Sequence, residues 1–317
     1  MRNTLFHSVS ALAFLAMAGA ALAGADNNTA TINQASHVWD SNATIRQHGS
    51  WGNAEIKQGY DFGGRGDGDV AKADGWLPST VTIDQYGTGG TARASQSSVL
   101  GGQQTITQLN GGTAEARQWS AIYSKQTIYQ DGASTAFADT QSSRTEATIN
   151  QWGGNNNRAY LLQGRSFNAG TGVADNSKGT INQKGESNTA FLEQIGSGGE
   201  ATITQQEGGW NESYVIQSGL NDWASITQQG YSNLVSLKQT ANDVRATVWQ
   251  DGSNNKAWLT QNGQYGNITV TQIGDGNQAT VDQSGWNNAA VISQVGNSDI
   301  ATIIQAGENN TATIAQQ

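Results

Sequence analysis

The chain has 317 residues, with 16 basic against 25 acidic side chains, 40 Gly, one Pro and no Cys. A net charge of −9 argues against nucleic acid as a partner, because such binders displace counterions with clustered Lys and Arg; the missing Cys excludes disulfides and thiol chemistry. Low charge with abundant Gly, Asn, Gln, Ser and Thr would also suit a disordered chain, but a periodicity running through the sequence decides against that.

Residues 1–23 have the form of a secretory signal: a lone Arg2, an apolar run from Ala11 to Leu22, and the small-x-small site Ala21-Leu22-Ala23. The run is too short and wrongly flanked to span a membrane. Its removal leaves 15 basic and 25 acidic residues, and no later apolar run approaches spanning length. Residues 24–317 are expected to form one repeat domain.

From Asn28 the chain divides into 24 segments that end on glutamine, beginning with Gln34, Gln47 and Gln58, passing through Gln141, and closing with Gln272, Gln283, Gln294, Gln305 and Gln316. From Gln217 onward every step is eleven residues; earlier steps run from ten to thirteen, apart from two longer jumps. Within a segment the odd positions repeat, as in Asn277, Ala279, Val281, Gln283, then Asn288, Ala290, Ile292, Gln294, then Asn310, Ala312, Ile314, Gln316. Alternation of period two predicts β-strands with that set on the buried face. Gly274, Gly285, Gly296 and Gly307 follow the glutamines and predict turns that need a positive φ.

Short strands and turns repeated in this way could form an antiparallel meander or a coil of two strands that stacks on the next. Like residues at equal register favour the coil, since Gln then lies over Gln and Asn over Asn, and stacked amides satisfy one another at a strand spacing of about 4.8 Å. The expected fold is therefore all-β: a parallel-stacked, amyloid-like β-solenoid of about twelve coils. Supporting two strands per coil, the position three before each glutamine alternates between two sets. One reads Thr44, Thr82, Thr105 and onward as threonine except at Ser225 and Val291; the other reads Thr31, Glu55, Arg93, Glu115, Ala138, Tyr160, Phe191, Tyr214 and onward.

Two insertions, at about 59–79 and 164–178, fall at the turn leading from the mixed strand to the threonine strand. The only proline, Pro78, lies in the first, so no proline interrupts the strand ladder. The same insertion contains Gly63–Asp69, GGRGDGD, which echoes a calcium-binding nonapeptide; a single copy reads as a loop, because that site needs tandem repeats.

Gln272-Ile-Gly274-Asp-Gly-Asn277-Gln-Ala279-Thr-Val-Asp-Gln283 resembles the curlin repeat, and Ser79-Thr-Val81-Thr-Ile83-Asp-Gln85 resembles its preceding strand. The resemblance extends over residues 28–317, with about twelve repeats where familiar curlins have about five, and with slips at Asn110-Gly111 and Glu207-Gly208. It implies an extracellular curli-type fibre subunit of a Gram-negative bacterial biofilm, acting in adhesion and aggregation. The implied partners are copies of itself, other curlin subunits, an outer-membrane export pore and periplasmic accessory proteins. A surface nucleator of such fibres is the alternative within the family.

Read from the residues, the strand edges at Asn28–Gln34 and at Ala301–Gln316 lack caps and are expected to template further copies. The amides Gln34, Gln47, Gln272, Asn277, Gln283, Asn288, Gln294, Gln305, Asn310 and Gln316 form the expected assembly ladder. The ten Trp are expected on outward strand positions, in turns or in insertions, with Trp152 and Trp286 in turns and Trp249 and Trp258 on outer faces; Trp249, Trp258 and Trp286 are the candidate contact residues. No catalytic residue, cofactor or metal site is expected. The acids Glu115, Asp139, Glu193 and Asp282 look scattered over both faces and form no catalytic pair. The threonine face suggests an ice- or surface-binding solenoid as an alternative of another class, weakened by the changing neighbours Arg46, Asp84, Tyr129 and Trp249.

Overall fold

A computed structural model describes residues 29–34, 42–50, 53–58, 79–97, 99, 101–119, 121–164 and 175–317. The proposed signal at 1–23, the body of the first insertion with Gly63–Asp69 and Pro78, and residues 165–174 of the second lie outside the described residues.

The alternating segments become 24 strands. The first eight are β1 (Thr29–Gln34), β2 (Asn42–Ser50), β3 (Asn53–Gln58), β4 (Thr80–Thr88), β5 (Thr91–Ser97), β6 (Gln103–Gln108), β7 (Thr113–Trp119) and β8 (Lys125–Gln130). Next come β9 (Thr135–Thr140), β10 (Glu146–Trp152), β11 (Arg158–Gln163), β12 (Lys178–Glu186), β13 (Thr189–Gln194), β14 (Glu200–Gly209), β15 (Glu212–Gln217) and β16 (Trp223–Tyr231). The last eight are β17 (Leu234–Gln239), β18 (Arg245–Ser253), β19 (Lys256–Gln261), β20 (Asn267–Ile273), β21 (Gln278–Gln283), β22 (Ala289–Val295), β23 (Ile300–Gln305) and β24 (Thr311–Gln316).

Odd strands form one 12-stranded sheet and even strands another, each in chain order, and every pairing is parallel. One odd and one even strand make a rung, so the described residues form a β-solenoid of twelve rungs. Among the described residues no helix is long and apolar enough to cross a membrane.

The core is a slot between the two sheets. On the even side it is lined by a column running Ile83, Ile106, Ile128, Ile149, Ile181, Ile203 and Ile226, all fully buried. Burying each such side chain contributes about 1.5–3 kcal/mol, but only with a neighbour above and below, which is why repeats of this kind are stable as stacks. Volume is balanced across the slot. The odd sheet holds small Ala94 and Ala116 where later rungs hold Leu161 and Leu192, and the even sheet offsets them with Gln104 and Gln126 in the column that elsewhere holds Ala147, Ala201 and Ala224. Gly179 gives the same column room at the sixth rung: a Cβ there would stand 3.0 Å from a Leu161 methyl.

The structure corrects the expected register at the ninth strand. Ala136 pairs with Ala159 and Thr140 with Gln163, so Thr140 occupies the inward rung-end position and Gln141 lies beyond it. Ala138 is consequently buried, and Phe137 is the residue that faces out. The slip at Glu207-Gly208 is absorbed in β14, where the register with its neighbours shifts between Gln206 and Gly209, as in a β-bulge.

Outer positions obey a different rule. Like charges stacked one strand apart repel, whereas opposite charges attract, and Lys125, Glu146, Lys178 and Glu200 alternate in sign over four successive rungs. The Lys125–Glu146 pair is 3.6 Å apart and about half exposed, so it contributes little to stability.

Candidate functional site

The rung-end glutamines form two columns inside the rod, one on each sheet. On the even sheet, the Nε2 of Gln228 donates to Oε1 of Gln250 at 2.9 Å, Gln250 to Gln272 at 2.8 Å, Gln272 to Gln294 at 2.9 Å, and Gln294 to Gln316 at 3.0 Å. On the odd sheet, Gln261 donates to Gln283 at 3.3 Å and Gln283 to Gln305 at 2.8 Å. The second N–H of each amide crosses to a backbone carbonyl at the start of the opposite sheet's strand: Gln272 to Lys256, Gln283 to Asn267, Gln294 to Gln278. A buried amide is tolerated only when its donors and acceptor find partners, and the stacked rungs supply them in a fixed direction along the chain. Gln34 and Gln47 share this register through their backbones, paired with Gln58 and Gln85; their side chains lie outside the described residues.

The odd-sheet column has one interruption. At Thr140 the amide is missing; Gln126 reaches across to donate to Thr140 Oγ1 at 2.8 Å, and Thr140 lies 3.4 Å from Gln163 Oε1. Gln118, which would have donated to a glutamine here, turns instead to the carbonyls of Ser124 and Gln103.

The asparagines act differently from the expected amide-on-amide stack. Asn277 Oδ1 accepts the backbone N–H of Asp299 at 2.9 Å, and its Nδ2 donates to the Gly296 carbonyl at 2.9 Å. Asn288 does the same for the Asn310 N–H and the Gly307 carbonyl, each at 3.0 Å. Each asparagine thus pins the turn of the following rung, and at one pair the amides also stack, with Asn211 Nδ2 donating to Asn188 Oδ1 at 3.1 Å. On the odd side this column is unbroken from Asn157 through Asn188, Asn211, Asn233, Asn255 and Asn277. The even side has Asn only at Asn288 and Asn310 in its last rungs, with Asp222 and Val244 at equivalent positions.

The turn glycines have the expected positive φ, and their neighbours give a second reason for glycine. A Cβ on Gly274 or Gly285 would stand 2.0 Å from the carbonyl oxygen of Gly296 or Gly307 in the next rung. At Gly307 itself nothing lies nearer than 3.7 Å, since no described rung follows it. Sequence reasoning missed a further turn feature: the residue just before the asparagine is also left-handed, as at Ser232, Asn254, Asn287 and Asn309. The frequency of Asn and Ser there, both tolerant of that conformation, was the available signal.

The last rung differs from the others in exposure. Ala312, Ile314 and Gln316 hold positions that are buried in the preceding rungs but are only half-buried in β24, and β23 and β24 are paired on one side only. Ile300 and Ile304 on the outer face of β23 are 66% and 75% exposed.

The candidate aromatic contacts are exposed, at 38% for Trp249, 38% for Trp258 and 45% for Trp286, but they are not brought together. Trp249 lies on the even sheet and Trp258 on the odd; Trp286 lies in a turn, with its ring edge-on to Tyr265 at 5.7 Å. Trp152 closes β10 instead of lying in a turn. With Phe137 restored to its place, the odd face has an unbroken aromatic column of Phe137, Tyr160, Phe191 and Tyr214, with Arg117 stacked 5.1 Å over Phe137.

Glu115, Asp139, Glu193 and Asp282 all fall on the odd sheet, which corrects their expected spread over both faces; they sit in four separate rungs. Among the described residues no group of three or more His, Asp or Glu side chains is placed to hold a metal. The threonine column of the even sheet is in register from Thr44 to Thr202 and is broken by Ser225 and Val291 beyond it, and its neighbouring column runs through Arg46, Asp84, Tyr129 and Trp249, so a second matching hydroxyl row does not accompany it.

Three stretches of the chain, residues 174–206, 267–296 and 285–317, match the family model of the curlin associated repeat. No curated protein matches the chain.

Proposed function

We propose, from the premise that this chain is a multi-repeat member of the curlin family, that it is a structural subunit of extracellular curli-type amyloid fibres and assembles end to end through its solenoid edges. The observation that carries this reading is the last rung. In its strand β24 the inward side chains are half-buried where those of β22, one rung earlier, are buried, and the strand edge repeats the register on which the preceding described rungs already stack. An exposed, unpaired edge templates a further strand, and a second copy brings a rung of the same pattern. Fibres grown this way have strands perpendicular to their axis. Export through an outer-membrane pore with periplasmic accessory proteins, removal of residues 1–23, and a role in adhesion and aggregation belong to the same proposal, with other curlins as further partners.

The test is assembly of the purified chain. The expected outcome is fibres that bind Thioflavin T and diffract with a meridional spacing of about 4.8 Å. A protein that stays monomeric at high concentration, without dye response, would overturn the proposal. Lag-free growth with strong seeding of another curlin would identify the chain as a nucleator instead of the bulk subunit.

A further inference from the structure

The outer wall of the even sheet is open from the third rung to the eighth. At the three outward positions before each glutamine, every side chain of β6, β8, β10, β12, β14 and β16 is half-buried or exposed. The opposite wall is closed over part of the same stretch, since the outward Asp139, Leu162 and Glu193 are buried. The middle column of the even wall consists here of threonines and Ser225, in register and without charge. The first column holds Lys125, Glu146, Lys178 and Glu200, alternating in sign. Among the described residues this alternation makes one ion pair, Lys125–Glu146 at 3.6 Å, and Lys178 and Glu200 enter none.

Reversed in order, Lys-Glu-Lys-Glu becomes its own complement. A two-fold axis parallel to the strands, passing between the fifth and sixth rungs, performs that reversal when a second wall is laid face to face on the first. It sets Lys125 opposite Glu200 of the second copy and Glu146 opposite Lys178, each contact occurring twice. A register one rung either way would set Glu146 opposite Glu146 or Lys178 opposite Lys178, and like charges repel. The rest of the wall accepts the same placement. Thr148 meets Thr180, Asn150 meets Asn182, and the larger Tyr129 and Trp223 meet Thr204 and Gln103. Just outside the six rungs, Asp84 falls opposite Trp249 and Arg245 opposite Thr80, so no like charges meet there. Copies running in the same direction would instead bring the charged column onto Tyr129, Asn150, Asn182 and Thr204, where its alternation has no counterpart.

We infer that the threonine-bearing wall is a contact between two copies of this chain lying side by side in opposite directions, with the four charges fixing direction and register. Six rungs at about 4.8 Å and six residues at about 3.3 Å give a flat face of roughly 600 Å² per copy. Two such faces total about 1,200 Å², which reaches the lower end of specific interfaces. Short Thr, Ser and Asn side chains let two sheets approach to about 10 Å, a gap that Lys and Glu side chains span from the two sides. Exposed ion pairs add little affinity but exclude wrong registers, because like charges brought together are strongly unfavourable. This contact joins walls and not rung faces, so the inference goes beyond end-to-end assembly and does not depend on it.

The chain has no cysteine, so single introduced cysteines report the geometry. Purified Thr105→Cys and Ser225→Cys chains are mixed as fresh monomers at low salt and treated with a short bis-maleimide. Thr105 lies in the third rung and Ser225 in the eighth, about 24 Å apart along the rod, and the two-fold axis sets one opposite the other. The expected result is cross-linking in the mixture and none above background with Thr105→Cys alone. Thr105→Cys linking to itself would show copies running in the same direction, and no link in either sample would show that the wall is not a contact; both overturn the inference. A second arm reverses all four charges (Lys125→Glu, Glu146→Lys, Lys178→Glu, Glu200→Lys), which keeps the alternation within the chain. Reversed Thr105→Cys chains are expected to link to unreversed Ser225→Cys chains about tenfold less than matched chains do. Full linking returns when both partners are reversed. Equal yields in matched and mismatched mixtures would overturn the inference, as would failure of the doubly reversed mixture to link with its circular dichroism unchanged. Neither arm reads fibre growth, so either outcome leaves end-to-end assembly standing.

Discussion

A glutamine amide has two N–H donors and one carbonyl, and in the even-sheet column of this rod all three are used, as at Gln272: one N–H along the column, one across the slot, and the carbonyl toward the rung before. Asparagine, one methylene shorter, works on backbone instead and fastens turns. Aspartate can do only half of either task, and Asp222 shows the consequence inside the chain. It is 1% exposed, one rung away from Val244, with Oδ2 accepting the Gly219 N–H at 3.0 Å and Oδ1 accepting the Val244 N–H at 3.4 Å. Burial pushes its carboxyl up to about 7, the two backbone donors pull against that shift, and the charge of Asp243 adds to it. A carboxyl raised in the folded state holds its proton after the unfolded chain has lost it, so the folded state is favoured at low pH and loses that advantage as pH rises from about 4 to about 7. Asp222→Asn abolishes this dependence. Urea midpoints of wild type and variant, measured at pH 5 and pH 8, should differ more at pH 8, with the variant the more stable there; parallel midpoints at the two pH values would refute the assignment. The buried glutamines were readable from their spacing, because only stacking makes such a pattern tolerable. The role of asparagine was not, because spacing shows which residues share a column but not whether a short side chain reaches its counterpart or the backbone beside it.

Strand register depends on alternation, and the ninth strand shows where a recurring letter misleads. The segment Thr135-Ala-Phe-Ala-Asp-Thr-Gln141 offers two alignments, one ending on glutamine and one keeping Ala136 over Ala159. The second wins because a one-residue slip would turn every inward side chain of the strand outward. Thr140 then sits in the glutamine column, short of both neighbours, and Gln126 fills the space from the opposite sheet with hydrogen bonds of 2.8 Å to Thr140 and 2.7 Å to the Arg117 carbonyl. These two residues are a compensating pair, and each should be wrong without the other. Thr140→Gln alone crowds a slot already occupied by the long side chain of Gln126, and Gln126→Ala alone leaves a cavity and strands the Gln104 amide, which donates to Gln126 Oε1 at 2.8 Å. The two changes together recreate the common arrangement of glutamine facing alanine. A double-mutant cycle by chemical denaturation is expected to give a favourable coupling of roughly 0.5–3 kcal/mol; additive losses would show that the pair is incidental. The twelve rungs, the two sheets and their distinct outer faces were legible from periodicity, whereas this exchange across the slot was not, since it joins residues of different segments through volume and not through repetition.

At the scale of the whole molecule, a fibre of stacked copies repeats each outer feature once per copy along its length. Side chains that do little for a monomer then become continuous lines of contact. Three of the exposed tryptophans point from different sides of the rod: Trp249 from the even sheet, Trp258 from the odd sheet, and Trp286 from the turn between β21 and β22. Large apolar surface left in water at these positions favours contact with another surface, and its distribution around the rod suits lateral association in more than one direction. End-to-end growth uses none of the three, since it joins rung faces and not outer walls. Replacing all three with Ser is therefore expected to thin the bundles seen by electron microscopy and lower turbidity, while the seeded elongation rate stays within about twofold of wild type, as for surface substitutions that leave packed interfaces untouched. Single replacements separate the directions: Trp249→Ser should remove contacts through the threonine-bearing wall and leave those through the opposite wall. Bundles of unchanged width in the triple variant would assign the tryptophans to packing within a chain, and slowed elongation would place at least one of them in the end-to-end contact.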